Sequence, residues 1–338
     1  MQLDAALLTH QLDNIPALAR AAEEAGFAGL WTAETAHEPF LPLTLAAEHT
    51  TRLSLGTAIA TAFTRSPTTL AHTAWDLARY SRGRFILGLG TQVKAHNERR
   101  FGVAWEQPAA RLREVILALR ALWDCWQHGA KLNFRGEFFK LTLMTAFFNP
   151  GPHDYPDIPI FIAGVNPRMC HLAGELCDGL HVHPLHSPRY LAEAIWPNVE
   201  RGLTAANRRR EDIALHSTVL VIPTDDPHAA GIEADVRRQI AFYASTPSYR
   251  AVLALHGWEA TGAELSALAA KKRWSEMPAL VTDEMLDAFA ARAPWADLPA
   301  TLRARYSGGL LQRVSYYLPF TPGQRDAQWQ TTITGFKK

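Results

Sequence analysis

The chain predicts an α/β protein, a (β/α)8 TIM barrel with insertions, organised as a single domain. Three observations carry this. Apolar, β-branched runs alternate with amphipathic helical runs from the N-terminus onward, and eight strand-like runs can be counted in 338 residues. Such alternation implies parallel strands joined by right-handed crossovers. The rival, a doubly wound open sheet, calls for a glycine triplet after the first strand, and the residues there are Thr9-His10-Gln11-Leu12-Asp13.

The elements follow in order. Residues 3–8 read as a buried strand and 15–25 as a helix with Pro16 in its first turn, closed by Gly26. Residues 29–32 are the second strand and 43–49 the second helix. The third strand spans 53–60, after which Ser66 caps a helix running from Pro67 to about Tyr80. Residues 84–90 form a fourth strand ending in glycine, and 109–126 its helix. The aromatic stretch 131–150 reads as an excursion from the barrel, turning at Arg135-Gly136-Glu137. A fifth strand at 158–163 leads into a helix at Asn166-Pro167; the sixth lies at 179–182 and the seventh at 215–222. Residues 230–243 are helical, and 261–293 hold two or three helices interrupted by Pro278, so 225–300 reads as a helical insertion. Residues 314–317 are the eighth strand and 324–332 a closing helix.

Composition excludes several classes of function. With 34 basic and 33 acidic residues the net charge is +1, which gives no electrostatic case for nucleic acid or an anionic membrane as partner. The cysteines, Cys125, Cys170 and Cys177, form no CxxC, and the last two share one helix, as buried thiols in a reducing cytosol would. No signal peptide or membrane-length apolar run is visible, so a cytoplasmic location is expected.

In a barrel, chemistry belongs at the C-terminal ends of the strands. After strand two come Glu34, His37 and Glu38, where a carboxylate and an imidazole on one loop could act as acid and base, or simply cap the next helix. After strand three, Gly56-Thr57-Ala58-Ile59-Ala60-Thr61 is too small and apolar for acid–base work, and by itself reads as barrel packing. After strand four, Gly88-Leu89-Gly90-Thr91-Gln92 allows close backbone approach to a ligand, followed by the polar cluster Lys94, His96, Asn97, Arg99 and Arg100. After strand five, Ala163-Gly164-Val165-Asn166-Pro167 offers free amides at a helix N-terminus, a place for a phosphate. His181, His183 and His186 follow strand six. Three such residues could suggest a metal site, but no acidic ligand stands at matching spacing, and hydrogen-bonding roles are expected. Neither a GxSxG elbow nor HExxH occurs. Trp75 and Trp123 stand at helical spacing and read as core.

The ordered succession 25–34, 55–60, Arg65-Ser66-Pro67, 74–77, 81–90, 160–164, Ala173-Gly174 and Cys177-Asp178-Gly179 resembles the luciferase-like monooxygenase superfamily, and within it the coenzyme F420-dependent oxidoreductases. The resemblance is densest over residues 1–190. It implies a barrel with an insertion, commonly a homodimer, holding a deazaflavin over a non-prolyl cis peptide in strand three, which carries over to Ala58–Ile59. The implied cofactor contacts are Thr57, Ala58, Ile59 and Ala60; Gly90, Thr91, Gln92 and Val93; and Ala163, Gly164 and Val165. Glu34 matches an acidic position of related dehydrogenases, but Thr35 replaces the histidine that often follows it, and His37 lies two residues on. The implied activity is hydride transfer between coenzyme F420 and a small organic substrate, with Glu34 and His37 as catalytic groups. The alternatives are an FMN-dependent two-component monooxygenase and a non-catalytic flavin-binding barrel. Phe63, Trp105 and the 225–300 insertion are expected to line the substrate pocket.

Overall fold

The computed structural model describes residues 1–7 and 11–337. The strands, in chain order, are β1 (Gln2–Leu7), β2 (Gly29–Thr32), β3 (Ser54–Thr57), β4 (Ala60–Thr61), β5 (Phe85–Gly90), β6 (Phe134–Arg135), β7 (Lys140–Leu141), β8 (Ile160–Ala163), β9 (Gly179–Val182), β10 (Ala214–Pro223), β11 (Ala290–Ala293) and β12 (Arg313–Tyr316). The helices are α1 (Ile15–Ala25), α2 (Leu41–His49), α3 (Pro67–Tyr80), α4 (Lys94–Arg99), α5 (Pro108–His128), α6 (Pro167–Leu176), α7 (Pro188–Tyr190), α8 (Trp196–Ala205), α9 (Ala229–Ala244), α10 (Arg250–Leu255), α11 (Glu259–Ala270), α12 (Asp283–Phe289), α13 (Leu298–Arg305) and α14 (Asp326–Lys337). The architecture is the expected (β/α)8 barrel class with insertions, and the chain divides into two compact units.

The larger unit comprises Leu7–His181 and Asn198–Ala214. Its strands run parallel in the order β2-β3-β5-β8-β9, with β4 beside β5. Leu30 pairs with Leu55, Gly56 with Ile86, Leu87 with Ile160 and Ile162 with Leu180. Side chains rather than space fill this sheet's inner face: Trp31, Ile86 and Phe161 pack together, with Ala58 against them. The indole of Trp31 lies so close to β3 that a Cβ on Gly56 would stand 2.2 Å from it, and only glycine fits there. Local chemistry sets the helix ends. Gly26 closes α1 at φ +98°, donating its N–H to the carbonyls of Ala22 and Glu23. Ser66 caps α3 by accepting from the Thr69 N–H at 3.1 Å, with Pro67 at the first position. Trp75 and Trp123 are both buried, as their spacing predicts.

The smaller unit comprises Met1–Ala6, Val182–Pro197 and Leu215–Lys338. Here β10 runs parallel to β12 on one side and to β11 on the other, and β12 is parallel to β1. The Asp4 carboxylate accepts two charge-assisted bonds from Arg313, at 2.8 and 2.7 Å, joining the first strand to the last. Asp226 likewise accepts from Arg325 and from the indole N–H of Trp295, tying the segment before α14 to the rest of the unit.

Two sequence expectations are corrected. Strand three does not run unbroken from 53 to 60; it stops at Thr57 and resumes at Ala60. Residues 290–293, taken as helical, form β11, where Ala290 and Ala291 find room against the buried Leu220 and Val221 of β10 and pairing prevails over alanine's helix propensity. Between α11 and α12, the Pro278 segment Trp274–Leu280 is a 3-10 helix. The 131–150 excursion makes a two-stranded antiparallel sheet, and Leu8, Thr9 and His10 lie outside the described residues.

Candidate active site

The larger unit brings the three sequence-predicted cofactor segments side by side. Thr61 pairs with Gly90 and Ala60 with Leu89, and Leu89 pairs in turn with Ile162, the residue before Ala163. Thus 57–61, 90–93 and 163–165 occupy the C-terminal ends of neighbouring parallel strands. The Ala58–Ile59 peptide is cis, where the resemblance placed it. Ala58 and Ile59 are half-buried and present an apolar face, while Ala60 and Thr61 are buried.

Side chains on either side hold this segment. Thr57 is fully buried; its hydroxyl donates to the Gly88 carbonyl at 2.6 Å and accepts from the Gly88 N–H at 3.0 Å. That grip depends on glycine, because a Cβ at 88 would lie 1.7 Å from the Thr57 carbonyl oxygen. Gly90 is equally constrained, since a Cβ there would stand 2.6 Å from the Ile59 side chain. Thr57 therefore contributes backbone and packing, its hydroxyl being committed to β5.

Glu34 is buried beside the same segment. Its N–H donates to the Ile59 carbonyl at 3.0 Å, and its Oε2 accepts from the Thr61 N–H and from Arg65, both at 2.7 Å. Arg65 also reaches Glu38 at 3.2 Å and lies over the Phe40 ring. Glu38 in turn accepts from the N–H groups of Phe40 and Leu41, capping α2. In the loop after strand two, Glu38 thus does the capping its sequence allowed, and Glu34 faces the strand-three segment. His37 is exposed on that loop.

On the strand-four loop, Gly90 is buried, Thr91 and Gln92 are half-buried, and Val93 is exposed. Gln92 adopts φ +58°. The buried Asn97 fixes the loop by donating from Nδ2 to the carbonyls of Thr91, at 2.8 Å, and Val93, at 3.2 Å. On the strand-five loop, the Gly164 N–H donates to the His181 carbonyl, and Asn166 caps α6 by accepting from Met169 at 3.0 Å. Phe63 and Trp105, predicted to line one pocket, meet edge to face at 6.2 Å. The sequence reading gives Arg65 no role and places Asn97 only in a polar cluster at a helix start. A lone cation right after strand three would have been the signal for the first; the second had none among its polar neighbours.

The histidine cluster resolves into separate roles. His181, in the larger unit, stands edge-on to Trp31, with ring centroids 5.0 Å apart. In the smaller unit, His183 stacks on Tyr249 at 4.0 Å, and its Nδ1 accepts from the Leu185 N–H. His186 bonds the His183 carbonyl at 2.9 Å and the Tyr306 hydroxyl at 3.1 Å. Burial pushes the imidazolium pKa of His183 down to about 3 and that of His186 to about 4, so both rings are neutral. Among the described residues, no three His, Cys, Asp or Glu side chains converge in a way that could hold a metal ion. All three cysteines are buried thiols, and burial raises the Cys170 pKa to about 12. Among the described residues, no helix is long and apolar enough to cross a membrane.

Comparison with known proteins places this geometry. An uncharacterised protein of Mycobacterium tuberculosis is 47% identical over 91% of both chains. The 5,10-methylenetetrahydromethanopterin reductase of Archaeoglobus fulgidus is 29% identical, over 79% of this chain and 78% of its own. Among solved structures, the coenzyme F420-dependent tetrahydromethanopterin reductase from Methanopyrus kandleri superposes with a TM-score of 0.79 at 22% identity, covering 99% of this chain and 97% of that one. The family model for luciferase-like monooxygenases matches residues 1–312. The chain belongs to the luciferase-like monooxygenase family.

Proposed function

We propose that this protein is a coenzyme F420-dependent oxidoreductase that transfers a hydride to or from a small organic substrate. The observation that carries the reading is the strand-three segment. Ala58 and Ile59 offer a small, apolar, half-buried surface at a strand's C-terminal end, bonded into place on both sides, as a flat ring requires. Among the described residues, the buried Thr61 hydroxyl and Asn97 Oδ1 have no hydrogen-bond partner, as polar groups that meet a ligand would. The similarity to reductases whose names specify coenzyme F420 or a methanopterin substrate points the same way.

In this reading, Thr57 to Ala60 seat the ring, Gly90 to Val93 approach it with backbone, and Ala163 to Val165 offer amides to a phosphate at the start of α6. A deazaflavin supplies a ring carbon that gives or takes a hydride; the protein contributes binding, orientation and exclusion of water. Glu34, with two charge-assisted bonds on one carboxylate oxygen, positions Thr61 and Arg65. Proton exchange then falls to His37. We propose a homodimer as the working form, which size-exclusion chromatography checks.

The family description favours a second reading, an FMN-dependent monooxygenase on the same seat. Titrating the purified protein with coenzyme F420 and with FMN, followed by visible absorbance, separates them. Saturable F420 binding without FMN binding is expected. FMN binding alone transfers the site to the monooxygenase reading, and binding of neither to a non-catalytic barrel.

A further inference from the structure

We propose that the groove between the start of α5 and the length of α6, closed by Arg201 of α8, binds a small organic anion, one with carboxylate or phosphate groups on an apolar body. The groove lies wholly in the larger unit and has a volume of about 390 Å³. Its floor is hydrocarbon: Ala109 and Ala110 from α5, Pro167 and Leu172 from α6. Its charged rim is Arg113, Arg168, Arg201 and Glu175, with His171 between them.

Three guanidinium groups against one carboxylate is a local excess that the near-neutral chain does not have as a whole. The one carboxylate is already occupied, since Glu175 Oε1 accepts from Arg113 at 2.7 Å. Arg201 is steadied by donating to Asn198 Oδ1, and Arg168 is exposed with no ion-pair partner among the described residues. A planar guanidinium matches a carboxylate or phosphate with paired N–H donors, which an ammonium cannot do. The field at the start of two helices adds to the preference for negative charge. An apolar floor beneath a cationic rim suits an anion on a hydrocarbon chain better than a bare inorganic ion.

The groove begins where the strand-five loop ends, since Asn166 precedes its Pro167 and Arg168. Two sources share the chemistry: the phosphate of the bound cofactor that the start of α6 is expected to take, or a separate organic acid. Calorimetric titration of the full chain with hexyl phosphate at low salt tests the proposal. Saturable binding is expected, with Arg168→Ala and Arg201→Ala each weakening it about tenfold, as loss of one charge-assisted bond does. Both arginines are exposed, so the variants should melt with the parent protein. No binding at millimolar hexyl phosphate, or parental affinity in both variants, overturns the proposal. Repeating the titration with coenzyme F420 present identifies the source. Loss of hexyl phosphate binding assigns the groove to the cofactor, and unchanged binding assigns it to a separate acid. Failure of F420 itself to bind would leave the hexyl phosphate result standing and count only against the cofactor reading.

Discussion

Two segments that each follow a barrel strand, 57–61 after strand three and 181–186 after strand six, invert what their composition suggests. The first holds no ionisable side chain, yet Thr57, Thr61, Gly88, Glu34 and Arg65 converge to fix its course. The second carries three histidines and looks rich in chemistry, yet two of its rings are neutral and committed to tyrosines, and the third packs on Trp31. The segment after strand three is backbone held by buried polar and ionic groups, whereas His183 and His186 after strand six serve as packing that stays uncharged. Chemical reactivity of residue types is thus a poorer guide to this site than the places where backbone is clamped.

The largest expected effect comes from the clamp. Gly88→Ala forces a Cβ into the Thr57 carbonyl, where no flexible side chain can yield, and should cost about 3 kcal/mol or prevent folding. A variant that melts like the parent would mean that the Thr57–Gly88 contact relaxes easily, and the contrast between the two segments would fail. Next is Glu34→Ala, which leaves the Thr61 N–H without its acceptor in a mostly buried place and takes from Arg65 its shorter ion pair, leaving the one with Glu38. A loss of about 2–3 kcal/mol in denaturant unfolding is expected, with Glu34→Gln recovering part of it through the Thr61 bond. Equal losses in both variants would mean that the charge alone matters.

The histidines sharpen the other side. His183 and His186 have pKa values lowered by burial to about 3 and about 4. A histidine whose folded pKa lies below its unfolded value of about 6.5 destabilises the fold as pH falls through that window, because the unfolded chain takes up the proton first. Stability should therefore drop from pH 6.5 down to about 4, by roughly 1 kcal/mol per pH unit for each such ring. His186→Asn should flatten that slope; an unchanged slope would show that this ring is not the source. The smallest effect belongs to Asn97→Ala, which removes the bonds to Thr91 and Val93. It should cost about 1 kcal/mol in stability but weaken F420 binding severalfold. Unchanged cofactor affinity would remove the strand-four loop from the proposed site.

Legibility followed the range of the forces involved. Gly26, Ser66-Pro67 and Asn166-Pro167 announced helix ends correctly because caps are local chemistry. The strand at 290–293 was missed because alanine favours helices until a neighbouring strand, here β10, offers pairing. Of the proposed cofactor segments, the glycines after strand four and the helix start after strand five could be picked out from the residues themselves, whereas 57–61 came only through resemblance; by spacing alone it is an ordinary strand end.

The sequence alone determined the class of the protein: the period of its apolar residues sets strand against helix, and the order of its motifs sets the family. Tertiary structure decided what each polar residue does. Glu34 meets Thr61 across 27 positions and Thr57 meets Gly88 across 31. Hydrogen bonds and steric contacts act over a few ångströms, so partners that distant in sequence are chosen only when parallel strands bring their ends together.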